Sequence, residues 1–96
     1  MSTSLEIQLK TLPDSPGVYQ YYDKQDNILY VGKAKNLKKR VGSYFTKSHE
    51  NAKTRILLQK IVSIKHIVVT TETDALLLEN NLIKKYQPRY NIMLKD

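Results

Sequence analysis

Two short tyrosine-bearing strings flank a polar turn, Gly17-Val18-Tyr19 before it and Tyr30-Val31-Gly32 after it. Lys33-Ala34-Lys35-Asn36-Leu37-Lys38-Lys39-Arg40 follows directly, a cationic run that opens a helix. Phenols facing one another across a hairpin, with cations at its exit, suit the handling of a phosphodiester. Arginine can grip phosphate through two parallel hydrogen bonds from one plane. A phenol has an ordinary pKa of about 10, so it removes a proton only with help from nearby positive charge. Tyr19, Tyr30, Tyr44, Arg40 and Lys33 form the candidate cluster. Tyr21, Tyr22 and Tyr86 read as packing, because tyrosine is the main aromatic here: seven against one phenylalanine and no tryptophan.

Glu79 is the most telling acid. At about 100° per residue, Ala75, Leu76, Leu78, Leu82, Ile83 and Tyr86 form one apolar stripe, and Glu79 falls near its middle. A carboxylate there loses hydration unless a cation, a donor or a metal ion compensates. A structural ion pair with a lysine or arginine would meet that need. The chemical reading is a metal ligand at the floor of a cleft. The other acids, Asp14, Asp23, Asp26, Glu50, Glu72 and Asp74, fall in loops, turns or helix starts, so a site built from several clustered carboxylates is not indicated. One protein carboxylate is enough for Mg²⁺, which keeps several waters and takes phosphate oxygens as ligands. Arg40 borders the inward stripe of its own helix, between Leu37 and Tyr44; a snorkelling side chain with a buried stem explains it as well as a phosphate contact does. His49 lies in a polar loop and His66 within a strand, and neither is placed for catalysis. No Gly-rich nucleotide loop or serine nucleophile elbow is present.

The elements that must position these residues can be read from the pattern. Met1 to Leu12 is a polar lead-in with room for one short helical turn. Leu12-Pro13-Asp14-Ser15-Pro16-Gly17 is loop chemistry. Val18 to Tyr22 and Ile28 to Val31 are strands joined through Asp23-Lys24-Gln25-Asp26-Asn27. A two-residue turn sets Tyr19 opposite Tyr30; a three-residue turn sets Gln20 there instead. Asn36 caps a helix running to about Phe45, with Leu37, Val41 and Tyr44 inward. A second helix spans about Asn51 to Ile61, with Ile56, Leu57, Leu58 and Ile61 as its apolar set. Ser63 to Thr71 is a third, β-branched strand. Thr71 or Thr73 caps a last helix that Pro88 stops after Gln87. Tyr90, Ile92 and Leu94 alternate in the tail and suggest a short extended segment. The order is β-β-α-α-β-α, an α+β domain with a small sheet covered by helices.

The bulk composition agrees and excludes some classes. Ninety-six residues suit one domain with one modest core. The chain has no cysteine, so neither disulfides nor a thiolate zinc site is available, which fits a reducing compartment. No apolar run approaches a membrane span, and a cytoplasmic location is the expectation. A net charge of +7 draws the chain to polyanions without identifying one.

Taken together, the strings resemble the GIY-YIG nucleases, with valine in place of each isoleucine. Lys33-Ala34-Lys35-Asn36-Leu37 with Arg40 and Tyr44 resembles that family's next block. Leu78-Glu79-Asn80-Asn81-Leu82-Ile83-Lys84-Lys85-Tyr86 and Pro88-Arg89-Tyr90-Asn91 resemble its glutamate block and closing asparagine. The segments from Leu12 to Gly17 and from Tyr90 to Asp96 are most similar to the excinuclease branch of nucleotide excision repair. The resemblance implies a three-stranded antiparallel sheet flanked by helices and metal-dependent hydrolysis of one DNA strand. Glu79 would hold a single Mg²⁺ or Mn²⁺. Tyr30 would act as general base or orient the nucleophile, supported by Tyr19. Arg40 and Lys33 would stabilise the phosphate, Tyr44 would orient it, and Asn91 would brace the site. It further implies the incision on the 3′ side of a lesion, made by a longer protein of which residues 1–96 are an N-terminal piece and a monomer by themselves. Partners would be DNA and UvrB, with UvrA upstream. Two other readings stay open. One is a stand-alone GIY-YIG or Cho-like repair endonuclease. The other is a non-catalytic nucleic-acid-binding module using Lys33, Lys35, Lys38, Lys39, Lys84 and Lys85 on phosphates.

Overall fold

A computed structural model describes residues 4–93. Eight elements follow one another: α1 (Ser4–Thr11), β1 (Gly17–Tyr22), β2 (Ile28–Ala34), α2 (Leu37–Thr46), α3 (Ala52–Lys60), β3 (Ser63–Val68), α4 (Glu72–Tyr86) and α5 (Arg89–Met93). The strands form one antiparallel sheet in the order β2-β1-β3. The expected α+β order is therefore present, with a helix added at each end of it. No helix among the described residues is long and apolar enough to cross a membrane.

β1 is the central strand and is covered on both faces, which is why Gly17 to Tyr21 is buried throughout rather than at alternate positions. On one face Tyr19 and Tyr21 pack with Leu37, Val41 and Tyr44 of α2, Leu57 of α3 and Tyr90 of α5. On the other, Val18 and Val31 meet Ala75, Leu78, Leu82 and Ile83 of α4. Each fully buried aliphatic chain contributes about 1.5–3 kcal/mol relative to exposure. Leu37, Val41 and Tyr44 lie inward as their spacing predicts, whereas Ile56, Leu76 and Tyr86 are exposed. The caps explain the helix boundaries. Asn36 accepts from the Lys39 amide at 3.0 Å, and Thr71 accepts from Asp74 at 3.1 Å. Gln87 ends α4 in the left-handed region at φ 48°.

The hairpin register is neither of the two expected. Tyr21 lies opposite Tyr30 and Tyr19 opposite Gly32, while Tyr22 pairs with Ile28. The turn is the three-residue one. Asp23 bonds Asn27 at 3.1 Å, Asp26 takes φ 63°, and the Asp23 carboxylate accepts from Gln25 and Asn27, both at 2.9 Å. Leu29 is then left unpaired as a bulge, and this one extra residue moves the whole tyrosine face along by one step.

The tail differs as well. Residues 89–93 form α5, not an extended segment. Pro88 is buried, and its carbonyl accepts from the Asn91 amide at 3.2 Å, starting a helical turn that seats Tyr90 in the core. Ile92 is left 60% exposed, so the apparent alternation of Tyr90 and Ile92 does not mark a buried face. Leu94 lies outside the described residues.

Candidate active site

Four tyrosine rings meet beneath α2. Tyr19 lies 5.2 Å from Tyr21, 6.2 Å from Tyr30 and 6.1 Å from Tyr44, centroid to centroid. Tyr21 stacks on Tyr30 at 6.1 Å and meets Tyr44 edge-on at 5.7 Å. Such tilted and edge-on contacts suit the ring quadrupole. Tyr44 raises the pKa of both the Tyr19 and the Tyr30 phenol. Tyr19 reaches over β2 because Gly32 leaves room for it: a Cβ at Gly32 would fall on the Tyr19 Cζ and hydroxyl oxygen.

Arg40 is exposed, not directed into the core. Its guanidinium sits 5.1 Å from the centre of the Tyr44 ring, a cation–π contact that holds the charge at the mouth of the phenol cluster. Burial works against its charge, but the phenols of Tyr19, Tyr44 and Tyr30 outweigh that and raise its pKa. Burial, together with Tyr44, also pushes the Tyr19, Tyr21 and Tyr30 phenols well above the usual tyrosine range; Glu79 adds to the rise at Tyr30, and Arg40 opposes it. Tyr30 therefore keeps its proton at neutral pH in the chain alone.

These shifts predict alkaline instability. An unfolded phenol ionises near pH 10, while Tyr19 and Tyr21 stay protonated in the folded chain at that pH. A raised folded value means that the stability contribution is intact below the unfolded pKa and lost as pH rises above it. The two deeply buried phenols should together cost about 2.7 kcal/mol per pH unit over this window. Urea denaturation from about pH 9 to about pH 12 checks it, with tyrosinate absorbance followed in parallel.

Glu79 is half-buried and forms no ion pair with a lysine or arginine among the described residues. Its Oε2 accepts from the backbone amide of Lys33 at 3.0 Å. The donor that compensates for lost hydration is thus the outer edge of β2, not an ion pair. Asn91 does the same two residues earlier and twice over: its Oδ1 accepts from the Val31 amide and its Nδ2 donates to the Val31 carbonyl, each at 2.8 Å. Lys33 takes part through its backbone, and its side chain is exposed. It lines a small cleft with Ala34, Lys35, Glu72 and Ala75, where Lys35 and Glu72 form an exposed ion pair at 3.7 Å.

The structure therefore brings Tyr19, Tyr30, Tyr44 and Arg40 together on one face, with Glu79 and Asn91 fixed along the adjoining strand edge. Two contributors were not singled out from sequence. Tyr21 is the packing residue its reading predicts, fully buried, and it also joins the ring cluster; two-residue spacing from Tyr19 is the signal that places it on that face. His49 stacks on Tyr44, and loop sequence carries no periodicity to reveal it. Among the described residues no group of three or more His, Asp or Glu side chains could enclose a metal ion. The fit is instead to an ion held by one carboxylate. Glu79 spends one oxygen on Lys33 and is open enough for water to fill the remaining positions.

A small α+β domain with paired tyrosine strands, a guanidinium over the phenols and one carboxylate at the strand edge defines a phosphodiester-handling class. A family model described as the UvrC-like GIY-YIG domain matches residues 15–92, so the chain belongs to the UvrC-like GIY-YIG family. It is 76% identical over 94 residues to UvrABC system protein C of Flavobacterium psychrophilum, covering 98% of this chain and 16% of that protein. The homologous protein of Bacteroides thetaiotaomicron is 69% identical over 85 residues, covering 88% of this chain and 14% of that one. The chain thus spans about a sixth of the length of these relatives. Among solved structures, the GIY-YIG N-terminal endonuclease domain of UvrC from Thermotoga maritima, bound to magnesium as its catalytic divalent cation, superposes with a TM-score of 0.81 at 36% identity, covering 94% of this chain and 98% of that one.

Proposed function

We propose that this chain is the divalent-metal-dependent endonuclease domain of a longer, cytoplasmic repair protein, and that it hydrolyses one DNA strand on the 3′ side of a lesion during nucleotide excision repair. The observation that carries the reading is the Arg40-capped phenol cluster lying beside Glu79, whose charge reaches Tyr30. The likeness to the magnesium-bound Thermotoga domain supports it, as do the UvrABC relatives. UvrB is the partner this assigns to the longer protein, with UvrA acting upstream.

Glu79 would hold a Mg²⁺ or Mn²⁺ ion, which when bound screens phosphate charge and acidifies water. The chain's own residues do the rest. Arg40 is free to turn its fork towards a phosphate at the cleft mouth. Tyr44 and Tyr19 pack against the Tyr30 ring and hold it in place. Neutralising Glu79 removes one cause of the raised Tyr30 pKa, and Arg40 already works in the same direction, so both favour loss of the Tyr30 proton, which the phenol must give up before it can take one from the attacking water. Lys38, Lys39, Lys84 and Lys85 are exposed and add phosphate contacts without sequence preference.

Tyr30→Phe tests the assignment in the longer protein, with UvrB and lesion-bearing duplex present. Loss of the phenol should slow Mg²⁺-dependent nicking by about 10²-fold or more, while Mn²⁺ affinity and DNA binding stay near the parent's. Undiminished nicking removes Tyr30 from the mechanism. Nicking that needs no divalent ion removes the mechanism itself.

A further inference from the structure

His49 lies between α2 and α3, outside every motif that marks the site. Its backbone is fixed from the far side: Arg55 Nη1 donates to the His49 carbonyl at 2.8 Å and to the Glu50 carbonyl at 2.7 Å. Asn51 closes the same loop by accepting from the Lys53 amide at 2.8 Å. From this anchored loop the imidazole turns back onto α2. Nε2 lies 3.0 Å from the Tyr44 carbonyl. A carbonyl only accepts, so Nε2 carries the hydrogen, and it does so whether the ring is neutral or protonated. The ring plane stacks on Tyr44 at 5.8 Å with 27° between planes.

Tyr44 is the ring whose placement matters most. It contacts Tyr19, Tyr21 and Tyr30 and carries Arg40 over its face. The inner side of Tyr44 is set by other phenols, which themselves need fixing. His49 supplies contact from outside the cluster, through one bond to the backbone and one stack on the ring.

We propose that His49 is a positioning residue for the phosphodiester hydrolysis assigned above: held by Arg55, it fixes the Tyr44 ring and thereby the Tyr19 and Tyr30 rings packed against it. It touches neither substrate nor metal. This rests on the nuclease reading for its consequence, but the positioning can be read without any activity.

The bond and the stack separate by substitution. His49→Ala removes both; His49→Phe keeps the stack and loses the bond. His49→Ala should lower kcat for Mg²⁺-dependent nicking about tenfold, with KM for DNA within about twofold of the parent. His49→Phe should recover kcat to within about threefold. A residue that only satisfies the end of α2 gives a different result: both variants melt earlier, and neither loses kcat beyond its loss of folded protein. That outcome overturns the proposal, as does parental kcat in His49→Ala. Near-UV circular dichroism of the tyrosines provides the readout that needs no turnover. A changed spectrum in His49→Ala that His49→Phe restores supports the positioning even if the parent proves inactive, in which case the nuclease reading fails by itself. A parental spectrum in His49→Ala overturns the positioning outright.

Discussion

Glu79→Gln should abolish metal-dependent nicking while leaving the fold almost untouched. A glutamine oxygen can still accept from the Lys33 amide at 3.0 Å, so the strand-edge contact survives and only the charge is lost. Glu79 is the one carboxylate the proposed site uses, and no cluster of three or more candidate ligands exists among the described residues. Losing it forfeits several kcal/mol of charge stabilisation, about 10³-fold or more in rate. Mn²⁺ titration should show the loss of affinity directly, and the urea midpoint should move by less than about 1 kcal/mol. Glu79→Ala should match it in activity and cost slightly more in stability, because water must take over the Lys33 amide. Glu79→Gln nicking at the parental rate in Mg²⁺ would falsify the one-carboxylate site.

Gly32→Ala should be nearly as damaging for a steric reason. The added Cβ coincides with the Tyr19 Cζ and hydroxyl, so the ring must leave the place it holds over β2. Tyr19 is 1% exposed, with Tyr21, Tyr30 and Tyr44 packed around it, and has nowhere to go without repacking all of them. Overpacking of that kind costs about 1–3 kcal/mol, and the displaced phenol should also shift the Tyr44 ring packed against it. Thermal melting should show the first effect. A fall in kcat larger than the loss of folded protein should show the second. A variant that melts and nicks like the parent would mean that Tyr19 is not held over Gly32.

Much of this was legible in the chain because it is local. Asn36 and Thr71 announce their helices through side chains that reach the third residue on. Leu37, Val41 and Tyr44 announce the inward face of α2 by spacing alone. What failed depends on partners distant in sequence or on a single inserted residue. The bulge at Leu29 has no glycine to mark it, yet it decides that Tyr21, not Tyr19 or Gln20, faces Tyr30. Glu79 read as a carboxylate in need of compensation, and that was sound, but its donor is a backbone amide 46 residues away that no pattern of side chains can reveal. Arg40 was open between a snorkelling chain and a phosphate contact. The stack on Tyr44 leaves it exposed at the cleft and supports the second without burying the charge. His49 looked idle because loops carry no period.

The bonds from Asn91 to Val31 and from Glu79 to Lys33 have a second consequence, for solubility. They occupy the outward-facing amides of Val31 and Lys33 and the Val31 carbonyl, groups that on a bare sheet edge invite another chain to add a strand. Among the described residues no fourth strand covers β2, and side chains from α4 and α5 stand in for one. The two residues proposed for the cleft thus also block the outward-facing groups of β2, and the same two side chains would guard the sheet edge against pairing with another chain.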